Sequence, residues 1–225
     1  IGQELYVWAL FSGVLHGLYI LSLSRAYSTE DISYVYPIAR SAPVFVPLLA
    51  WIFLDELLNQ VIYLAIGLIV TAIYILHFEG KLVKGFKRLF EAILHKNLRW
   101  AFITLVLVVS YSLVDKKAMD RFLFYFPDQP FTNGITFFFL EASIGFILCN
   151  IFVFNKFSRD EILKNWSNDW LKALFAGIAT FASYGLICFI LQFEQLSAVV
   201  SLRQISVLMV VYWGCWKLKE PFGKQ

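Results

Sequence analysis

Long runs of apolar residues alternate with short polar connections along almost the whole chain. A membrane-spanning helix needs about 20 consecutive, mostly apolar residues. Seven runs meet or approach that length, at residues 5–24, 32–54, 59–77, 100–118, 131–154, 170–192 and 197–217. This pattern predicts an all-α, polytopic bundle of membrane helices.

The second run combines apolar residues with prolines and charge. Residues 31–56 contain Pro37, Pro43 and Pro47 together with Arg40. A proline inside a helix removes a backbone donor, and in a membrane the freed carbonyl groups need protein or a wet cavity around them. We therefore expect a broken helix, bent by its three prolines, that lines a cavity.

Two connections carry basic and apolar residues near helical spacing. Residues 80–99 hold six lysines and arginines among apolar side chains, which predicts a basic amphipathic helix lying on the lipid headgroups. Residues 156–169 show a weaker form of the same pattern, with Phe157, Ile162, Leu163 and Trp166 on one side.

An internal repeat relates the two ends of the chain. When the sequence is shifted by 164 residues, residues 11–56 overlay residues 175–220 without gaps. The polar matches carry the most weight, and they pair Glu30 with Glu194, Ser33 with Ser197 and Glu56 with Glu220. The shift spans five helices, an odd number, so the two copies cross the membrane in opposite directions, as the inverted repeats of secondary transporters do.

This period predicts how the chain is divided. Residues 1–79 form the last three helices of a first five-helix repeat, residues 80–99 are the basic amphipathic linker, and residues 100–225 form the first four helices of a second repeat. About seven of ten helices are then present, and we expect both ends of the chain to be truncated.

Three stretches resemble a known family. PVFVPLLAWIFLDE (residues 43–56) and SAVVSLRQISVLMVVYWGCWKLKE (residues 197–220) resemble the paired signatures of EamA-type transporters of the drug/metabolite transporter superfamily. SYSLVDKKAM (residues 110–119) is similar to the start of that family's second repeat. The resemblance implies a ten-helix carrier, built from two inverted five-helix repeats, that moves small metabolites or drugs. One departure is Val207, which stands where the first copy has Pro43.

Composition supports a membrane protein and excludes several classes. Hydrophobic residues make up 60% of the chain and charged residues only 16%, whereas soluble chains are about 45–50% apolar and about 25% charged. The net charge of +3 lies in loops and does not indicate nucleic-acid binding. Because the sequence has no nucleotide-binding motif and no metal-ligand spacing, we expect no cofactor, no metal and no enzymatic activity.

Glu141 is the sharpest candidate for chemistry, because it lies near the middle of the fifth apolar run. A carboxylate at the bilayer centre costs about 2.5–3.5 kcal/mol on insertion scales and usually faces a cavity or a partner. Glu141 is therefore an acid that couples transport to a proton or binds a cation, a carboxyl group paired structurally with an arginine or hydroxyl group, or a carboxyl group that is simply protonated.

The other candidates for solute binding or coupling have two interpretations each. Arg40 and Arg203 lie in the proline-rich run and its counterpart, where they bind an anionic solute group or reach the headgroups. His16, within the GxxxG of Gly13 and Gly17, is a packed histidine or a proton relay. Tyr111 and Asp115 lie four residues apart and share a helix face, so they could act together, or Asp115 could form an interfacial ion pair with lysines 116 and 117. Trp51 either stacks on a solute or faces lipid.

Glu56 and Glu220 end equivalent helices and should lie at opposite membrane faces. An acid is unfavourable at a helix C-terminus, so a partner must compensate its charge. The alternatives are a gate that closes on a basic residue and simple hydration at the surface.

These observations favour a secondary active transporter of small metabolites, amino acids or drugs in the cell (inner) membrane. We expect it to be an exporter that works as a monomer or homodimer, coupled to a proton by alternating access of two inverted repeats. The expected partners are a small-molecule substrate and the lipid bilayer. The alternatives are a seven-helix membrane receptor, a lipid-modifying membrane enzyme, a flippase of lipid-linked intermediates and a sugar-phosphate exchanger.

Overall fold

The protein is all-α, as the sequence predicts. The computed structural model describes residues 2–29, 35, 38–57, 60, 63–64, 67–68, 71 and 98–205, and these residues contain helices and no β-strand. The helices are α1 (Gly2–Thr29), α2 (Ala42–Leu54), α3 (Arg99–Tyr125), α4 (Pro130–Lys156), α5 (Arg159–Leu191) and α6 (Leu196–Arg203). The predicted linker at residues 80–99 lies almost wholly outside the described residues, so the proposed division of the chain stays a prediction.

Among the described helices, α1, α4 and α5 are long and apolar enough to cross a membrane. They contain 28, 27 and 33 residues, which correspond to about 40–50 Å of helix at 1.5 Å per residue. The fourth long helix, α3, has 27 residues but carries five charged side chains between positions 115 and 121. Its position matches the predicted apolar run at residues 100–118.

The chain folds into two compact units, the first of which comprises residues 1–24 and 110–194. In this unit α1 and α4 approach each other closely through glycines. A Cβ atom added at Gly13 would lie 2.7 Å from Ile144 Cβ and 2.8 Å from the Glu141 carbonyl oxygen, and one at Gly17 would lie 3.3 Å from Gly145 Cα. The prediction that this GxxxG permits close helix packing is confirmed.

Polar side chains connect the start of α4 to the end of α5. Gln192 Nε2 donates to the Pro130 carbonyl oxygen (2.7 Å), and Asn133 Nδ2 donates to Gln192 Oε1 (3.1 Å). Lys116 Nζ donates to the Leu191 carbonyl oxygen (2.8 Å). The cation thereby satisfies an orphan carbonyl at the C-terminus of α5, where the helix dipole favours positive charge.

The sequence predicted a weakly amphipathic surface helix at residues 156–169, and this prediction is wrong, because most of these residues form the start of α5. Ser158 and Glu161 form a capping box, and α5 then continues without interruption because no proline or glycine follows before Gly177. Large apolar side chains along it, such as Trp166 and Phe175, are exposed, as expected of a surface that faces lipid.

The second unit comprises residues 25–109 and 195–225. Here the predicted break in the proline-rich run is present. Ser41 N donates to the Ile38 carbonyl oxygen (3.2 Å) and its hydroxyl group donates to the same atom (2.7 Å). These bonds close a turn at residues 40–41, after which α2 begins at Ala42. Val46 and Ala50 form the buried side of α2, which packs against α6.

Candidate functional site

Four helices of the first unit contribute side chains to one buried group. Helices α1 and α3 each supply a pair of residues four positions apart, which therefore share a helix face, and α4 and α5 supply one residue each. The group consists of Ser12 and His16 from α1, Tyr111 and Asp115 from α3, Glu141 from α4 and Tyr184 from α5, and we call it the acidic cluster.

Direct contacts join five of these side chains in a row. His16 Nδ1 contacts Glu141 Oε1, and the Ser12 hydroxyl group lies 3.0 Å from the same oxygen. The Ser12 hydroxyl group also forms a hydrogen bond with Asp115 Oδ1. On the far side, the Tyr184 hydroxyl group donates to Asp115 Oδ2 (2.6 Å). The two carboxyl groups are thus connected through one serine hydroxyl group.

Burial differs along this row. Ser12, Asp115 and Glu141 have an exposed fraction of 0%, and Tyr184 has 7%. The His16 side chain has 14%, which makes it the most accessible member. Glu141 Oε2 is buried and has no hydrogen-bond partner among the described residues, although buried polar atoms are nearly always paired.

Tyrosine rings enclose the His16 imidazole. The Tyr111 ring stacks on it with centroids 3.9 Å apart and an angle of 28° between the planes. The Tyr184 and Tyr19 rings meet it edge-on at 5.0 and 6.0 Å. Such packing restricts the imidazole to one orientation, which directs Nδ1 towards Glu141.

A count of protons limits the charge that the acidic cluster can carry. The Ser12 hydroxyl group has one hydrogen, yet it lies within hydrogen-bond reach of a carboxyl oxygen from both Asp115 and Glu141. It can donate to only one of them and can accept from the other. When both contacts are hydrogen bonds, one of the two carboxyl groups carries a proton.

His16, Asp115 and Glu141 also have the atom types of a metal site. One ligand atom from each lies within 4.8 Å of the others. However, His16 and Glu141 contact each other directly, and each Asp115 oxygen lies in hydrogen-bond contact with a hydroxyl group. A transition metal bound to nitrogen and oxygen needs its own space about 2.0–2.2 Å from each ligand. We therefore interpret the acidic cluster as a hydrogen-bonded proton site, and the expected lack of a metal stays a prediction.

The structure brings together four of the candidate residues from the sequence, namely His16, Glu141 and the pair Tyr111 and Asp115. One interpretation of Asp115 is wrong: it does not form an interfacial ion pair, because Lys116 instead contacts Asp120 (2.8 Å). Asp115 is turned inward to Ser12 and Tyr184.

Sequence reasoning missed Ser12 and Tyr184. Ser12 precedes His16 by four residues, so its place on the same helix face was a usable signal. Tyr184 lies in an apolar run with several other hydroxyl residues, and only the fold selects it.

The arginines and the tryptophan of the sequence prediction belong to the second unit. Arg40 lies half-buried in the turn before α2, not inside a helix as the sequence suggested, and Arg203 is the half-buried last residue of α6. Trp51 on α2 has an exposed fraction of 55%, in keeping with the lipid-facing alternative.

The prolines occupy different places in α2. Pro43 lies in the first turn, where the absent backbone donor costs no intrahelical hydrogen bond, so it marks the beginning of the helix. Pro47 lies within the helix, where a proline can bend it. Pro37 lies outside the described residues.

Glu56 caps a neighbouring helix. Glu56 Oε1 accepts a hydrogen bond from the Leu196 backbone N–H (2.7 Å), and Oε2 accepts from the Ser197 backbone N–H (3.3 Å) and hydroxyl group (2.9 Å). The positive end of the α6 dipole therefore compensates this acid. Within the part of the chain that the structure describes, Glu56 is held by these N–H and hydroxyl groups rather than by a basic side chain, and its exposed fraction of 7% leaves little room for surface hydration. Glu220, its counterpart in the repeat, lies outside the described residues.

Comparison with known proteins identifies the first part of the chain. Residues 2–78 match the EamA-like transporter family, and this stretch includes the signature at residues 43–56 that resembles the family in the sequence. A search of curated proteins gives no match. The family match and the apolar helices point to a multi-pass membrane protein. Members of this family are transporters rather than enzymes.

Proposed function

Since residues 2–78 match the EamA-like transporter family, we propose that the protein is a proton-coupled secondary active transporter that exports small metabolites, amino acids or drugs. It works in the cell (inner) membrane by alternating access between two inverted repeats. The acidic cluster is its coupling site.

One observation carries the proposal: the Ser12 hydroxyl group connects two buried carboxyl groups by hydrogen bonds, and a histidine contacts one of these carboxyl groups, all within long apolar helices. Ionisable groups in membrane helices are costly, and they mark ion and proton pathways. Asp115 and Glu141 lie too close to carry full charges without compensation, so their protonation responds to changes around them. A helix movement that separates Ser12 or His16 from Glu141 therefore changes the number of protons bound.

The second unit supplies the solute contacts in this proposal. Arg40 and Arg203 are half-buried, and a guanidinium group binds carboxylate or phosphate with two parallel hydrogen bonds. The two guanidinium groups suit a small amphiphilic solute with an anionic group. A cationic drug is the alternative solute class.

Transport in proteoliposomes tests the proposal. The full-length protein is reconstituted and screened with amino acids and cationic drugs under an imposed pH gradient. We expect flux of at least one solute that depends on the gradient. In Glu141→Gln the flux should lose its dependence on pH, because the variant cannot exchange a proton at this position.

Asp169→Asn is the matched control, because Asp169 is an exposed carboxyl group that pairs with Lys172 on α5. This variant should keep the pH dependence of the unaltered protein. If no solute shows flux that depends on the pH gradient, the result would argue for the receptor alternative. If the pH dependence of flux is unchanged in Glu141→Gln, the acidic cluster is not the coupling site.

A further inference from the structure

We propose that the Ser12 hydroxyl group relays a proton between Glu141 and Asp115, and that His16 is the group through which this proton enters and leaves the acidic cluster. This inference rests on the proposed function. It assigns a direction and an order of transfer to residues that otherwise form only a buried acidic pair.

The proposed relay between Glu141 and Asp115 rests on the position of Ser12. Its oxygen touches Asp115 Oδ1 on one side and lies 3.0 Å from Glu141 Oε1 on the other. A hydroxyl group that accepts one hydrogen bond while donating another can pass a proton on without becoming charged. Ser12 is completely buried, so water does not compete for either bond.

The proposed entry and exit of the proton through His16 rests on the position of this residue. The two acids are sealed from the outside, whereas His16 retains the largest exposed fraction in the acidic cluster, 14%. Its Nδ1 atom contacts Glu141 Oε1, and the stacked Tyr111 ring holds the imidazole in that orientation. Histidine is the side chain best suited to exchange protons with water near neutral pH.

The transfer can be written with every proton accounted for. The imidazolium Nδ1–H bond breaks and an O–H bond forms at Glu141 Oε1, which leaves neutral imidazole. The Glu141 proton then passes to the Ser12 oxygen while the Ser12 proton passes to Asp115 Oδ1. Glu141 becomes a carboxylate again, Ser12 is unchanged, and Asp115 is neutral. One proton has moved inward, and the reverse sequence releases it.

Asp115 is the inner end of this route. Its second oxygen accepts from the Tyr184 hydroxyl group at 2.6 Å, which stabilises the carboxylate before the proton arrives. Lys116 follows in sequence, but its ammonium group is directed to the Leu191 carbonyl oxygen and Asp120. Among the described helices, His16 contacts Glu141 and Tyr184 contacts Asp115, while the titratable Tyr19 on α1 and Tyr111 on α3 contact the His16 ring.

Substitutions at Ser12 test the relay. In proteoliposomes, Ser12→Ala should slow proton-driven transport at least about tenfold more than it slows solute exchange without a gradient, because a positioned proton-transfer group contributes about 10²–10⁴-fold. Ser12→Thr keeps the hydroxyl group and should restore proton-driven transport. An equal slowing of both processes would mean that Ser12 has only a structural role and would overturn the relay.

An infrared titration of the protonated carboxyl bands gives a second test that needs no variant at Ser12. The bands are assigned with Glu141→Gln and Asp115→Asn. We expect the removal of either acid to shift the titration of the other, because they share a proton through Ser12. Independent titration of the two acids would overturn the relay even if Ser12→Ala did not fold.

Two further measurements separate this inference from the function on which it depends. His16→Gln should slow proton uptake by the carboxyl groups in a stopped-flow pH jump, and uptake at the original rate would overturn the role of His16. Treatment with EDTA should leave coupling unchanged, whereas loss of coupling would mean that a metal ion holds the site. If the unaltered protein shows no flux that depends on the pH gradient, the proposed function itself fails.

Discussion

Replacement of Gly13 by alanine tests the helix contact that assembles the acidic cluster. The added Cβ atom would lie 2.7 Å from Ile144 Cβ and 2.8 Å from the Glu141 carbonyl oxygen. Both distances are too short for real contacts, and neither neighbour is the flexible end of a side chain. Helices α1 and α4 must therefore separate.

The magnitude follows from two opposing effects. Overpacking in a close-packed interior costs about 1–3 kcal/mol, while alanine is favoured over glycine in a helix by about 1 kcal/mol. Gly177→Ala on α5 is the control, because a Cβ atom there meets no other atom within 4 Å in the described part of the chain. It gains the same helix propensity without the clash, so the difference between the two variants should be about 1–3 kcal/mol.

Reversible unfolding of the full-length protein with SDS in mixed micelles, followed by tryptophan fluorescence, measures both free energies of unfolding. We expect Gly13→Ala to be the less stable variant. It should also weaken pH-dependent transport, because the separation of α1 from α4 lengthens the contacts of Ser12 and His16 with Glu141. Equal stability of the two variants would refute the close packing of α1 on α4.

Two further predictions concern polar contacts outside the acidic cluster. Glu56→Ala should lower the free energy of unfolding by about 1–3 kcal/mol, because two buried backbone N–H groups at the start of α6 lose their acceptor. Glu56→Gln should recover part of this loss. SDS unfolding measures both variants, and full stability of Glu56→Ala would contradict the role of Glu56 as a cap of α6. Gln192→Leu should lower the free energy of unfolding by about 1–3 kcal/mol, since the Pro130 carbonyl oxygen loses a donor at 2.7 Å. Gln195→Leu removes an exposed hydrogen bond to the Leu57 carbonyl oxygen and should lower it less. The reverse order would contradict the role of Gln192 in connecting α4 to α5.

The acidic cluster shows how far sequence reasoning reaches. Glu141 was detectable because an acid in the middle of an apolar run is costly and therefore informative. The i, i+4 spacing of Tyr111 and Asp115 placed both on one helix face. What the sequence left open was the direction of each face. Asp115 has two lysines directly after it, and only the rotation of α3 in the folded unit turns its carboxyl group inward to Ser12.

Glu56 shows the same limit for a helix end. The sequence identified an acid in a position where its own helix dipole is unfavourable, and it indicated that a partner must exist. The partner is the N-terminus of another helix, 140 residues further along the chain. A backbone N–H group has no signature in the sequence, so a search for basic side chains does not find it.

By itself, the sequence determined that this protein is an all-α membrane protein with long apolar helices, that α1 carries a close-packing glycine motif and which family the chain resembles. These are properties of composition, of periodicity within one helix and of short motifs. The tertiary structure alone decided that Ser12 joins two acids that lie 103 and 129 residues away and that Tyr184 completes the row. The physical reason is that helix rotation and helix pairing are set by packing across the whole unit, whereas sequence patterns report only on neighbours along one helix.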